Sequence, residues 1–358
     1  MMLDYMAVDL FCGCGGMTEG LRQAGFNVIA GIELDDNAAL AYEMNHKDTS
    51  YLFHDDIRNV STHDIVKLLK GGPLHLLAAC PPCQGFSSMR RKNKKGAISD
   101  PRNKLIHEFY RFVEELRPVT IMLENVPALI EYDDFKQVAR KLIQLGYEID
   151  YKVVNVAKYG VPQRRKRLVL LGSLLGSVQI EPGKSHLVTV RTTIENLEDP
   201  ITTSDPVHKI YPKHTDKVQR KIELTPHNGG SRSDLPDEYA LECHKQPGIG
   251  FRDVYGRLRW DDVSSTITGG CLNPSKGRFL HPVENRTITA REAALLQTFP
   301  INYMFPLNIS RGALALMIGN ALPPEFCKQQ ALCIKEHLDG IFSPMDGTSG
   351  ETRLLIIP

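Results

Sequence analysis

Leu74-His75-Leu76-Leu77-Ala78-Ala79-Cys80-Pro81-Pro82-Cys83-Gln84-Gly85-Phe86 is an apolar run that stops at a pair of prolines. A short continuous apolar stretch reads as a strand covered on both faces, and proline, with no N–H to offer a ladder, marks its end. Working outward, similar runs occupy 5–10, 28–32 and 119–123, with helical patterns at 17–25, 36–46, 61–69, 103–116 and 133–145 between them. Alternation of this kind predicts an α/β fold, a doubly wound and mostly parallel sheet of Rossmann-like type covered by helices on both faces. Segments 148–156 and 167–172 should finish that sheet. In open α/β sheets, ligands and chemistry collect beyond the carboxyl ends of the strands. The Cys83 thiol stands at such a place.

The texture changes after Gly176. From 181 to 283 the chain is rich in Pro, Gly, Thr, Ser and His without clear helical period; helical pattern returns at 289–298, 310–317 and 324–338. The expected division is a catalytic and cofactor-binding domain over 1–182, completed by 303–342. A smaller, loop-rich mixed domain should occupy 183–302, and a tail 343–358. At 358 residues, a large domain with a smaller companion is the natural arrangement.

Bulk properties exclude several classes. No apolar stretch approaches the roughly 20 residues that span a bilayer, and no signal peptide is evident at the N-terminus. A cytoplasmic protein is expected. Hydrophobic content of 42% and charged content of 24% are those of an ordinary globular chain. The net charge of +1 leaves only charge distribution to speak for nucleic acid. The eight cysteines read as reduced thiols. Cys12/Cys14 and Cys80/Cys83 lie too far apart for a zinc site and no histidine pair completes them, so no metal is expected.

Three strand ends carry candidate ligands. Asp9-Leu10-Phe11-Cys12-Gly13-Cys14-Gly15-Gly16 follows the first strand, and its glycines allow a tight turn and close approach of a ligand. It is neither G-x-G-x-x-G nor a P-loop. Glu33 ends the next strand, where an acidic side chain takes the two ribose hydroxyls of an adenosine. Asp55-Asp56-Ile57 is expected to end a third and to hold the adenine amino group. Together they suggest a nucleoside cofactor without pyrophosphate, which S-adenosylmethionine fits.

The strings DLFCGCGG (9–16), PPCQGFS (81–87), ENV (124–126), QRRKR (163–167), TAREAALLQTFP (289–300) and GNALPP (319–324) occur in one order along nearly the whole chain. In this the sequence resembles the DNA cytosine-5 methyltransferases. The resemblance implies methyl transfer from S-adenosylmethionine, leaving S-adenosylhomocysteine, to carbon 5 of a cytosine flipped out of duplex DNA. Cys83 would add to carbon 6 as a thiolate, making carbon 5 nucleophilic. Glu124 would hold ring nitrogen 3 and the exocyclic amine. Arg165 would contact the cytosine or its phosphate, with Arg167 in support. Phe11, Gly13, Gly15, Gly16, Glu33, Asp56, Ile57, Pro81, Leu105 and Asn320 would line the cofactor site. Cys12 and Cys14, where the family often has smaller or apolar residues, carry no expected chemistry.

Arg90, Arg91, Lys92, Lys94 and Lys95 after Cys83 form a basic stretch suited to phosphates and to closing over an extruded base. Gln84, Ser87, Arg90 and Arg91 are therefore expected DNA contacts, with Arg232, Thr266 and Thr268 as candidate base readers in the second domain. A fold that begins almost at the first residue suggests a stand-alone bacterial or phage enzyme. It is expected to be monomeric, with a cognate restriction endonuclease as a separate partner. A tRNA cytosine-5 methyltransferase is the nearest alternative, although the Cys-Phe-Thr tripeptide of that branch is absent. A C-x-x-C thiol–disulfide oxidoreductase, from Cys80 and Cys83, is an alternative of another class; it leaves Glu33, Glu124 and the basic clusters unexplained.

Overall fold

A computed structural model describes residues 4–82, 104–183, 186–239 and 253–342. The first half forms a seven-stranded sheet of order β3-β2-β1-β4-β5-β7-β6. The strands are β1 (Tyr5–Leu10), β2 (Phe26–Glu33), β3 (Tyr51–His54), β4 (Leu76–Ala79), β5 (Thr120–Asn125), β6 (Glu148–Asn155) and β7 (Lys166–Ser173). β3 through β5 run parallel, and β7 is antiparallel to both β5 and β6. The stretch expected to end the third strand lies beyond it, because β3 stops at His54 and Asp56 falls in the following turn.

Side chains alternate across the sheet and so feed two separate cores. Val8, Leu10, Leu77, Ala79, Ile121 and Leu123 meet α3 (Thr62–Leu69), α4 (Ile106–Leu116) and α5 (Asp133–Gln144) on one face. Ala7, Leu76, Ala78 and Met122 meet α1 (Gly16–Gln23) and α10 (Pro324–Phe342) on the other. Such strands are apolar on both sides, hence the unbroken runs in the sequence. α2 (Asp36–His46) is started by Asp35, whose carboxylate accepts from the Asn37 and Ala38 N–H groups. The last helix returns to the sheet across the 150 residues of chain that separate Ser173 from Pro324.

That intervening chain is built differently. It holds α6 (Val190–Ile194), α7 (Asp216–Leu224) and α8 (Ala290–Leu296), with isolated bridges in place of ladders among its described residues. Its core includes Leu258, Ile267, Phe279 and Ile288, and extends to Leu314 and Ile318 of α9 (Arg311–Asn320). Irregular backbone leaves carbonyls without partners. Here a fully buried arginine supplies them. Arg257 donates to the carbonyls of Thr225, His281, Glu284 and Ile222, and to Asn285 Oδ1, at 2.5–3.0 Å. No helix among the described residues is long and apolar enough to cross a membrane.

Candidate active site

The order β2-β1-β4-β5 sets the carboxyl ends of four parallel strands side by side, and the candidate side chains collect along that edge. Beyond β1 the chain turns through left-handed conformations at Phe11 (φ 62°), Gly13 (φ 56°) and Gly15 (φ 90°). Glu33 at the end of β2 fixes this turn. Its Oε2 accepts from Gly13 N–H at 2.9 Å, and its Oε1 from Leu34 and Asp35 N–H at 2.9 and 2.7 Å. Burial raises the Glu33 pKa, and the three backbone donors oppose that rise.

The glycines of the turn have unequal surroundings. A Cβ on Gly15 would stand 2.5 Å from His46 Nε2, and one on Gly16 2.5 Å from the Leu322 carbonyl oxygen. A Cβ on Gly13 would meet nothing within 4 Å. The loop is pressed against protein on one side and open on the other, as a cradle for a small molecule requires. Its closed side is held by a chain of hydrogen bonds. Arg22 Nη1 lies 3.1 Å from His46 Nδ1, His46 Nε2 lies 2.9 Å from the Tyr303 hydroxyl, and that hydroxyl donates to the Cys14 carbonyl at 2.5 Å. The arginine can only donate, so His46 Nδ1 accepts and Nε2 carries the proton. Burial first, and Arg22 second, bring the His46 pKa down to about 4.

Asp56 is bound to its neighbour: Oδ1 accepts from Arg58 N–H at 3.0 Å and Nε at 2.8 Å, and Oδ2 pairs with Nη2. These contacts bring its pKa down to about 2. Ile57 is buried in the core beneath α3 and α4, with Leu105 partly buried against it. Pro81 is buried, and its carbonyl accepts from Asn125 Nδ2 at 2.9 Å, tying the loop after β4 to the end of β5. Asn320 is exposed at the last position of α9.

Glu124, only 2% exposed, occupies the end of β5. Arg167 Nε lies 2.6 Å from its Oε1, an ion pair without hydrogen-bond alignment, and the Cys80 thiol donates to its Oε2 at 2.7 Å. The carboxyl is thus gripped from both sides at the mouth of the loop that leads to Cys83.

The family model for C-5 cytosine-specific DNA methylase matches residues 5–336. The chain belongs to this family. It is 35% identical to the Type II methylase M.HgiDII of Herpetosiphon aurantiacus, over 93% of this chain and 96% of that one. It is 30% identical to the Type II methyltransferase M1.HphI of Haemophilus parahaemolyticus, over 90% of this chain and 84% of the relative. The fold matches the S. pombe Dnmt2 methyltransferase with a TM-score of 0.65 at 17% identity, over 94% of this chain and 99% of the other. The family model and the two Type II relatives favour the DNA reading over tRNA methylation.

In this methylase the two arginines expected at the site both lie in the field of Glu124 and Cys80 but take different partners. Arg167 stands beside Glu124, whereas Arg165 is buried where the sheet meets the second region. Arg165 Nη1 donates to the carbonyls of Ile267 and Gly319 at 2.9 and 3.0 Å, and Nε has no partner. Burial, with Arg167 nearby, brings the Arg165 pKa down to about 9. Gln163 and Gln297 extend the junction. Gln163 Nε2 donates to Leu296 O and Gln297 Oε1, its Oε1 accepts from Ile267 N–H, and Gln297 Nε2 donates to Ile318 O. A Cβ on Gly319 would overlap the Thr268 carbonyl group and the Gly269 nitrogen. The two chain segments cross there in direct backbone contact.

The Thr266 hydroxyl donates to Arg164 O at 2.6 Å, Thr268 Oγ1 accepts from Gly270 N–H at 3.3 Å, and Arg232 opens a short helical turn. Cys83, Gln84, Ser87, Arg90 and Arg91 lie outside the described residues. Sequence reasoning gave no role to Asn125, Gln163, Gln297, His46 or Tyr303. Asn125, Gln163 and Gln297 stood within quoted motifs, but their partners are groups on distant segments that no local pattern marks.

Proposed function

We propose that this methylase transfers a methyl group from S-adenosylmethionine to carbon 5 of a cytosine within a specific duplex DNA sequence, through a Cys83 adduct at carbon 6. The open cradle over Gly13, with Glu33 at its rim, fits a nucleoside cofactor. Gly13, Gly15, Gly16, Glu33, Asp56, Ile57, Pro81, Leu105, Phe11 and Asn320 would hold it. When bound, that cofactor supplies a methyl group on a sulfonium sulfur.

The observation that carries the reading is the Glu124 carboxyl, held between Arg167 and Cys80 on the strand next to the Cys83 loop. Cytosine carbon 6 is a weak electrophile, and addition of a thiolate drives electron density onto ring nitrogen 3. Glu124 gives its proton to nitrogen 3 as the sulfur–carbon bond forms, and its other oxygen accepts from the exocyclic amine. The carboxylate left behind is stabilised by Arg167 and the Cys80 thiol, so these contacts strengthen in the transition state. Arg165 contributes by fixing the start of β7, which carries Arg167, against Ile267 and Gly319. A base paired in a duplex hides carbon 6, so it must swing out, at a cost of a few kcal/mol.

The catalytic unit is residues 1–182 with 303–342, and 183–302 reads the target; Gln84, Ser87, Arg90, Arg91, Arg232, Thr266 and Thr268 are its DNA contacts. The enzyme acts as a cytoplasmic monomer, with a restriction endonuclease as a separate partner. Bisulfite sequencing of DNA from cells expressing the chain gives the modified position and the recognised sequence together. A duplex carrying 5-fluorocytosine at that position is expected to become covalently attached to Cys83. Methylation of the duplex without any such adduct would overturn the mechanism, and methyl transfer to tRNA alone would overturn the substrate.

A further inference from the structure

Cys80 follows β4 directly. In the β4–β5 pair Ala79 is opposite Leu123, so the parallel register brings Cys80 opposite Glu124. Side chains at matched positions of neighbouring strands point to the same face, so backbone pairing delivers the thiol to the carboxyl. The separation is 2.7 Å, and Arg167 takes the other carboxyl oxygen.

We propose that Cys80 is a positioning residue for methyl transfer, its S–H holding Glu124 Oε2 so that the carboxyl keeps its outward edge turned to the cytosine. The proposal rests on the role given above to Glu124. Cys80 and Arg167 engage one carboxyl oxygen each, leaving the outward edge free to give a proton to nitrogen 3 and to accept from the exocyclic amine. A hydrogen bond to an ionised oxygen is stronger than one to a neutral oxygen, so the thiol's grip tightens as Glu124 releases its proton to nitrogen 3. Cys80 keeps its own proton throughout. Burial, and next the neighbouring carboxylate, push its pKa well above the ordinary thiol value. It therefore cannot compete as a thiolate with Cys83, three residues on, and two cysteines close in sequence take opposite chemical roles.

The test uses the full chain. Infrared spectra in the S–H stretching region should contain one band on the low-frequency side, belonging to a thiol bonded to the Glu124 carboxyl. It should be missing from Cys80→Ala and Cys80→Ser, and should move to higher frequency in Glu124→Gln. In steady-state assays Cys80→Ala should lower kcat about tenfold while leaving KM for DNA within about twofold, the pattern of a contact made mainly in the transition state. Serine keeps a donor within reach, so Cys80→Ser should recover kcat to within about threefold of the parent. A wild-type kcat in Cys80→Ala, a serine variant no better than alanine, or the absence of the shifted band would each overturn the proposal. The 5-fluorocytosine adduct separates the two readings. An adduct at Cys83 with normal turnover in Cys80→Ala leaves the reaction standing and removes Cys80 from it. The shifted band without any adduct removes the role of Glu124, and the proposal with it.

Discussion

The sheet and the region that follows it solve the same problem with different chemistry. In β1, β4 and β5 every main-chain polar group can join a ladder, and alternating side chains are absorbed by two apolar cores. Among the described residues from 186 to 300 ladders are replaced by isolated bridges, and buried charged or amide side chains serve the carbonyls instead. Arg257 is the centre of one such arrangement. In another, Arg286 forms paired contacts of 2.8 Å with both oxygens of the buried Glu292, which also caps α8 through Thr289 N–H. A regular element carries its partners within its own pattern. An irregular one must import them.

The comparison breaks or holds on substitutions in each half. Arg257→Ala should have the largest effect, about 4 kcal/mol or more, because four carbonyls lose their donor at once. Hydrogen exchange should quicken over 216–239 and 253–286 while amides of β1, β4 and β5 stay protected. Leu77→Ala, which opens a cavity between the sheet and its helices, should cost about 3 kcal/mol with the opposite exchange pattern. Equal loosening of both halves by both variants would mean they do not differ as described. Gly319→Ala tests the junction. Its methyl group meets backbone on both sides of the crossing, so about 2 kcal/mol of stability and most of the methyl transfer should be lost.

A smaller effect should sharpen the contrast through pH. Asp9, buried below the glycine turn with Oδ2 accepting from Thr18 and Oδ1 without a partner, has its pKa pushed up to about 7. A carboxyl with a raised native pKa binds more protons folded than unfolded, so it lowers stability as pH climbs from about 4 to 7. His46 works in reverse. Its native pKa of about 4 lies below the ordinary 6.5, so it lowers stability as pH falls through that interval. The two slopes oppose one another between about pH 4 and 6.5. Asp9→Asn should leave a protein whose denaturation midpoint rises with pH across this window, and His46→Gln one whose midpoint falls. Parallel profiles in both variants would contradict the assignment.

These differences explain what could be read from residues alone. The central strands were legible because burial on both faces leaves an unbroken apolar run. β3 was placed too far along because, at the sheet edge, its side chains are only partly covered. Glu33 and Glu124 were legible as acidic residues closing such runs. The separate fates of Arg165 and Arg167 were not, since they are decided by the carbonyls of residues 267 and 319, contributed by distant segments. Cys80 was visible only as half of a C-x-x-C. Its position opposite Glu124 is a fact of strand register. The second region was recognisable by composition, but no periodicity could announce that Arg257 would be its keystone.

The contact at Gly319 has a consequence for anyone who wishes to retarget this enzyme. A transplanted copy of residues 183–302, the region proposed to read the target, brings its own version of the Thr268–Gly269 peptide, which must fit within atomic reach of a helix belonging to the recipient. Chimeras joined at loop boundaries therefore inherit a mismatch at their most crowded point. Those that carry both crossing segments of the donor, together with Gln163 and Arg165, keep a matched pair.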